Sequence, residues 1–299
     1  MIEFKNVTKR FGKDISLNQI NLSIEEGTAF GLLGSNGAGK STLLRLLCGI
    51  YKAEEGEVLI DETSVYDNIL VKSDIFFIND ETVQFQNLTV RELKKHYMIY
   101  YRNFSEEVFD RLMEVTKLPY DKKMSTFSKG MKRQAVFIIG LSCRTKYLLL
   151  DEAFDGLDPA MRIIVKRILV DEMLDRKLTL ILSSHNLKEV NDICDHVALL
   201  HEGKLLFCKD LQSVYDGFHK IQVAFSRDYS AEDFEGLSII QSEKIGSVIT
   251  MGVRGDVDEI KSYLSHFHPI LLEEIPLTLE EIFIYEMEAN GYDANSIDH

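Results

Sequence analysis

Nine residues, Gly34-Ser35-Asn36-Gly37-Ala38-Gly39-Lys40-Ser41-Thr42, satisfy the pattern G-x-x-x-x-G-K-[ST] in full. That pattern is the chemistry of phosphate binding. Glycines let successive backbone N–H groups turn inward around an anion, and the following helix N-terminus adds partial positive charge. Lys40 is placed to reach the β- and γ-phosphates, and the Ser41 hydroxyl to ligate Mg²⁺. A glycine-rich turn can match by chance, so the flanks matter. Ala29-Phe30-Gly31-Leu32-Leu33 reads as a buried strand entering the loop, and Ser41 to Cys48 as a helix leaving it and stopping at Gly49.

A second cluster lies downstream. Lys146-Tyr147-Leu148-Leu149-Leu150 is a continuous apolar run ending in Asp151-Glu152, the pattern of a central parallel strand with two carboxylates at its C-terminal end. Asp151 would hold Mg²⁺, largely through water, and Glu152 would polarise an attacking water. Phe154-Asp155-Gly156-Leu157-Asp158-Pro159 reads as a tight loop, and His185 follows the strand-like run Leu178 to Ser183. A histidine there could meet a γ-phosphate through a ring N–H. His201 has no comparable setting and is read as structural.

The elements that must carry these groups follow from the same periodicities. Strands are expected at Gly56–Ile60, Leu178–Ser183 and Val197–Leu200, and a helix from Pro159 to about Arg176, which makes a βαβ unit. Helical patterning runs from Leu88 to Leu118, with Ser105 as a cap. After Val214-Tyr215 the texture changes, giving strand candidates at 220–225 and 248–253 and helix candidates at 257–267 and 278–289, the outline of a small α+β domain. The terminal stretch 291–299 is expected to fray.

Composition narrows the function classes. The 299 residues suit one large domain and a smaller one, and a net charge of −14 argues against nucleic acid as the main partner. The four cysteines are scattered, with no C-x-x-C pair, which fits reduced buried thiols rather than a disulfide frame or zinc site. No apolar run approaches the ~18 residues of a membrane span. The chain opens directly on a strand, Met1 to Lys5, so a soluble cytosolic protein is expected, able to dock on a membrane protein.

The phosphate loop, then Phe127-Ser128-Lys129-Gly130-Met131, Leu150-Asp151-Glu152, Gly156-Leu157-Asp158 and His185 together resemble the ATPase subunits of ABC transporters, in order and spacing, over roughly the first 215 residues. The resemblance implies a P-loop α/β cassette with a parallel core sheet, an antiparallel β subdomain and a helical subdomain at about 85–145, followed by the α+β domain at 216–299. It implies ATP and Mg²⁺ as cofactors, and a head-to-tail dimer with two ATP molecules at the interface. Each would lie between the phosphate loop of one subunit and Ser128, Lys129, Gly130 and Met131 of the other. Asp158 would couple the two sites, His185 would sense the γ-phosphate, and Phe11 in Lys9-Arg10-Phe11-Gly12 matches the aromatic that stacks on adenine.

Two departures from the family pattern stand out. Lys129 replaces the first signature glycine and Met131 the glutamine, a form similar to that of bacterial exporter ATPases. Asp80, at the end of Ile75-Phe76-Phe77-Ile78-Asn79, stands where the family has Gln or Glu to touch Mg²⁺ and sense the membrane subunit. The resemblance extends at Pro276-Leu277-Thr278-Leu279-Glu280-Glu281-Ile282-Phe283 to drug-, antibiotic- and peptide-exporting ATPases. The expected protein is therefore the Mg-dependent ATPase of a bacterial exporter, a homodimer or half of a heterodimer. It would sit on separate polytopic membrane subunits at the cytoplasmic face, with antimicrobial or amphipathic peptides or drugs as cargo. The competing expectation is a soluble ABC-type ATPase acting on a ribosome, DNA or a repair complex.

Overall fold

A computed structural model describes residues 1–79 and 85–289. The chain divides into two compact units, the first running from Met1 to Lys209 and the second beginning at Asp210, ahead of the boundary expected after Tyr215.

In the first unit the phosphate-loop strand Ala29–Leu33 lies inside a six-stranded sheet. The strand order across this sheet is Lys204–Asp210, His196–His201, Ala29–Leu33, Thr179–Ser183, Tyr147–Asp151 and Ile75–Ile78. From His196–His201 to Ile75–Ile78 every pairing is parallel. Parallel strands covered on both faces must be apolar throughout. Tyr147–Asp151 and Thr179–Ser183 accordingly have no exposed position. Leu148, Leu149 and Leu150 are at most 1 % exposed, each worth about 1.5–3 kcal/mol of burial. That anchorage fixes where the carboxylates at the strand end emerge.

A four-stranded antiparallel sheet carries the N-terminal hairpin Ile2–Phe11 and Asp14–Ile24, with Glu55–Ile60 and Thr63–Ser64 beside it. Its apolar face joins the phosphate-loop helix Lys40–Leu47 in one core, through Phe4, Val7, Leu17, Leu43, Leu44 and Leu47. The helical stretch comprises Val90–Tyr100, Glu106–Thr116 and Lys129–Ser142. Thr89 and Glu92 close a capping box on the first of these, and Ser105 caps the second through the Val108 N–H, which satisfies helix-end donors that burial would otherwise orphan.

The second unit is an antiparallel sheet of four strands in the order Ser238–Ile245, Val248–Arg254, Phe218–Ala224, Leu271–Ile275, with the helices Leu211–Tyr215, Val257–Ser265 and Leu279–Ala289. Ile221, Val223, Met251, Val253, Ile260, Leu264 and Phe234 form its core. The two outer strands are absent from the sequence expectation. They carry Glu243, Lys244, Glu273 and Glu274 at exposed positions, and charge on a sheet edge, which blocks stray pairing, also hides the strand from a hydrophobicity reading.

Candidate functional site

The phosphate loop leaves the buried strand at Gly34 and closes at Gly39, which caps the helix in a left-handed conformation at φ 107°. A methyl group on Gly39 would stand 2.6 Å from a Leu17 methyl and 2.8 Å from the Ser16 carbonyl, and one on Gly34 would stand 2.3 Å from the Leu200 carbonyl. Only glycine lets this loop pass so close to the two neighbouring strands. Asn36 and Gly37 stay exposed at the tip, while Ala38 and Lys40 are buried. Thr42 shares a 2.9 Å hydrogen bond with Ser16 on the strand alongside.

Lys40 is 6 % exposed, and its ammonium donates to the loop's own Gly34 and Ser35 carbonyls at 2.7 and 3.1 Å. The loop thus holds the cation inside its own cradle, where an anion would replace those carbonyls as acceptor. Burial pushes the Lys40 pKa down, and the carboxylates of Glu152 and Asp151 act against that shift.

Asp151 comes to the same place from the end of the strand Tyr147–Asp151, one strand beyond Thr179–Ser183. It is 3 % exposed, and its Oδ1 accepts from Ser41 Oγ at 3.0 Å and from Ser183 Oγ at 2.6 Å. Ser41 and Asp151 are hard oxygen donors in direct contact, a pair that suits a small divalent cation. The chemistry of the donor set therefore fits Mg²⁺. Ser183, which fixes the carboxylate, was not singled out beforehand; its position as the last residue of an apolar strand beside Asp151 was the available signal.

Glu152 lies one residue on, with φ at 47°, the left-handed region that non-glycine residues seldom enter. Its N–H donates to the Ser183 carbonyl at 3.1 Å. Its Oε2 lies 2.8 Å from His185 Nδ1 and accepts the His185 backbone N–H at 3.3 Å. The structure brings the two sequence candidates into direct contact. A carboxylate oxygen of Glu152, one of Asp155 and a ring nitrogen of His185 lie within 4.8 Å of one another.

The remaining candidates are arranged differently. Ser128 caps the helix Lys129–Ser142, its Oγ accepting from the Met131 N–H at 3.2 Å, and Ser128 and Lys129 are exposed. Gly130 faces the Gly156 carbonyl so closely that a methyl group would stand 2.7 Å from it, and the Lys129 stem lies over Gly156. Asp158 is an exposed cap that accepts from the Met161 N–H at 3.0 Å, with Pro159 opening its helix. Arg133, fully buried on the helix that Ser128 caps, was also missed; its guanidinium donates to the Asn79 carbonyl at 2.5 Å and ties that helix to the strand Ile75–Ile78. Phe11 ends the first strand opposite Asp14 and is 45 % exposed. Asp80 lies outside the described residues, as does the terminal stretch expected to fray.

Residues 17–155 match the ABC transporter family. Over 284 residues the chain is 31 % identical to the ABC transporter ATP-binding protein YtrB of Bacillus subtilis (strain 168), covering 95 % of this chain and 97 % of that protein. The chain belongs to the ABC transporter ATP-binding proteins. It is an ABC-type ATPase, and it binds ATP. A second relative is the bacitracin transport ATP-binding protein BcrA of Bacillus licheniformis, 31 % identical over 69 % of this chain and 68 % of its own length. In fold, this ABC ATPase is similar to a solved ATP-binding subunit of an ABC transporter, with a TM-score of 0.66 at 22 % identity over 72 % of this chain and 92 % of that one. Among the described residues no helix is long and apolar enough to cross a membrane.

Proposed function

We propose that this chain is the ATP-hydrolysing subunit of a bacterial exporter, with Glu152 as the group that orients and deprotonates the attacking water. The observation that carries this reading is the 2.8 Å contact between Glu152 and His185, made next to the Ser41–Asp151 pair and the phosphate loop. Lys40 and the loop amides would receive the β- and γ-phosphates, losing the carbonyl partners that Lys40 now has. Ser41 and Asp151 would hold Mg²⁺, which when bound offsets phosphate charge. Glu152 takes a proton from water on the γ-phosphate side, while its contact with Nδ1 orients the ring of His185, the group that would sense the γ-phosphate.

Ser128 and Lys129 of the signature in the same chain are exposed where Lys40 and Asp151 are buried. Ser128 stands exposed at the start of a fourteen-residue helix whose N-terminal amides favour an anion. It is suited to cap the nucleotide of a second subunit, head to tail, with Lys129 and Met131 beside it and Asp158 at the same border. The second subunit would be a like chain or a related ATPase, and the pair would sit on polytopic membrane subunits at the cytoplasmic face. The bacitracin relative supports antimicrobial or amphipathic peptides or drugs as the cargo class.

Affinity purification of Glu152→Gln protein from detergent-solubilised membranes, with ATP present, tests this reading. A stoichiometric polytopic membrane protein is the expected companion. Recovery of ribosomal or other soluble partners alone would overturn the transporter assignment.

A further inference from the structure

The exposed ring of Phe11 is held by more than its turn. Tyr51, just past the phosphate-loop helix, packs against the main core and meets Phe11 edge-on, with ring centroids 5.3 Å apart and planes at 74°. The Lys9 ammonium stands 5.2 Å from the Phe11 ring centre and 5.7 Å from that of Tyr51. Lys9 is itself fixed by the Lys52 carbonyl at 3.0 Å and Glu54 Oε1 at 2.6 Å. Glu54 Oε2 accepts the Arg10 N–H at 2.8 Å, directly before Phe11 in the chain. A half-exposed aromatic at a hairpin turn needs no such bracing for the hairpin to form. Here three side chains from two segments, Lys9, Tyr51 and Glu54, converge on its orientation.

The location matters as much as the bracing. Phe11 pairs with Asp14, and two residues along that strand Ser16 bonds Thr42 of the phosphate loop. Two residues of strand are about 7 Å, so the turn that carries Phe11 lies close along the strand to the point where that strand meets the phosphate loop.

We propose that Tyr51 and Lys9 are positioning residues for the purine base, holding Phe11 at the angle at which the base stacks on its exposed face. This rests on the reading of Phe11 as the base platform. Edge-on aromatic pairs contribute beyond their buried area, and a cation over a ring restrains it further. Tyr51 sits outside every motif that marks the phosphate side, so its effect should be confined to ligands that carry a base.

The test compares equilibrium binding of a non-hydrolysable ATP analogue with that of inorganic tripolyphosphate, using the full chain. Tyr51→Leu should weaken the analogue about two- to tenfold and leave tripolyphosphate unchanged, and Tyr51→Phe should keep wild-type affinity for both. In the double variant with Phe11→Ala, Tyr51→Leu should add nothing. Unchanged analogue binding in Tyr51→Leu, equal weakening of both ligands, or a loss that adds to that of Phe11→Ala would each overturn the proposal. Phe11→Ala serves as the separate control. If it alone leaves the analogue's affinity intact, the base-platform reading fails at its root.

Discussion

The phosphate side and the signature side of this chain are built to opposite plans. On the phosphate side Lys40 and Asp151 are 6 % and 3 % exposed, and each already has protein partners for its charge. On the signature side Ser128, Lys129 and Asp158 are exposed, and the side-chain oxygens of Ser128 and Asp158 cap their own helices. A buried cation and carboxylate cost several kcal/mol to desolvate unless closely paired. The first region therefore has to be completed within one chain. The second needs no burial to exist, and gains meaning from what approaches it. The difference teaches that one chain carries a buried, internally paired region and an exposed one, which on the proposed reading are the catalytic half and the half that receives a second subunit.

The sharpest way to break this contrast is Glu152→Gln. Turnover, read as phosphate release, should fall about 10²–10⁴-fold while ATP binding survives. Turnover near wild type would remove Glu152 from the catalytic half. Lys40→Ala should act on affinity instead. Losing a charge-assisted contact to phosphate is worth about 1.5–3 kcal/mol, or roughly 10–150-fold in Kd, and calorimetric titration with ATP would show it. An unchanged Kd would contradict the loop assignment.

Ser128→Ala sharpens the comparison from the other side. Turnover should drop roughly 10–100-fold, the worth of one hydrogen bond to a charged phosphate, with no change in ATP affinity of the single chain. It also removes a helix cap, so thermal unfolding should register about 0.5–2 kcal/mol of lost stability. If affinity of the isolated chain fell with turnover, the signature face would be serving its own nucleotide. The smallest effect belongs to Asp158→Asn. Asparagine caps as well as aspartate, so stability should hold within a few tenths of a kcal/mol. Cooperativity of hydrolysis with ATP concentration should weaken. Unaltered cooperativity would reduce Asp158 to a cap.

Much of this arrangement was legible before any coordinates. The phosphate loop, the strand ending in Asp151-Glu152 and the βαβ unit after Pro159 are all local patterns: glycines at fixed spacing, an unbroken apolar run, a proline at a helix start. The strands Ser238–Ile245 and Leu271–Ile275 were not legible, because edge strands facing water carry charge and lose the hydrophobic signature. Arg133 was passed over for a related reason. A single cation in a helix reads as surface, and nothing local says that it will be enclosed and bonded to Asn79.

By itself the sequence determined the kinds of group available and the elements that carry them: a loop with the backbone freedom to wrap phosphate, a hydroxyl and a carboxylate for a cation, a second carboxylate and a histidine. Spacing suffices for this, because strand, turn and helix are decided by interactions among near neighbours. Only the tertiary structure decided which groups meet. Ser41 and Asp151 are 110 residues apart, Glu152 and His185 are 33 apart, and Lys9 finds Glu54 across 45. Those contacts follow from parallel strand pairing in the central sheet and, for Lys9 and Glu54, from antiparallel pairing of Ile2–Phe11 with Glu55–Ile60. Both are set by burial of side chains distant in sequence, and no local pattern encodes them.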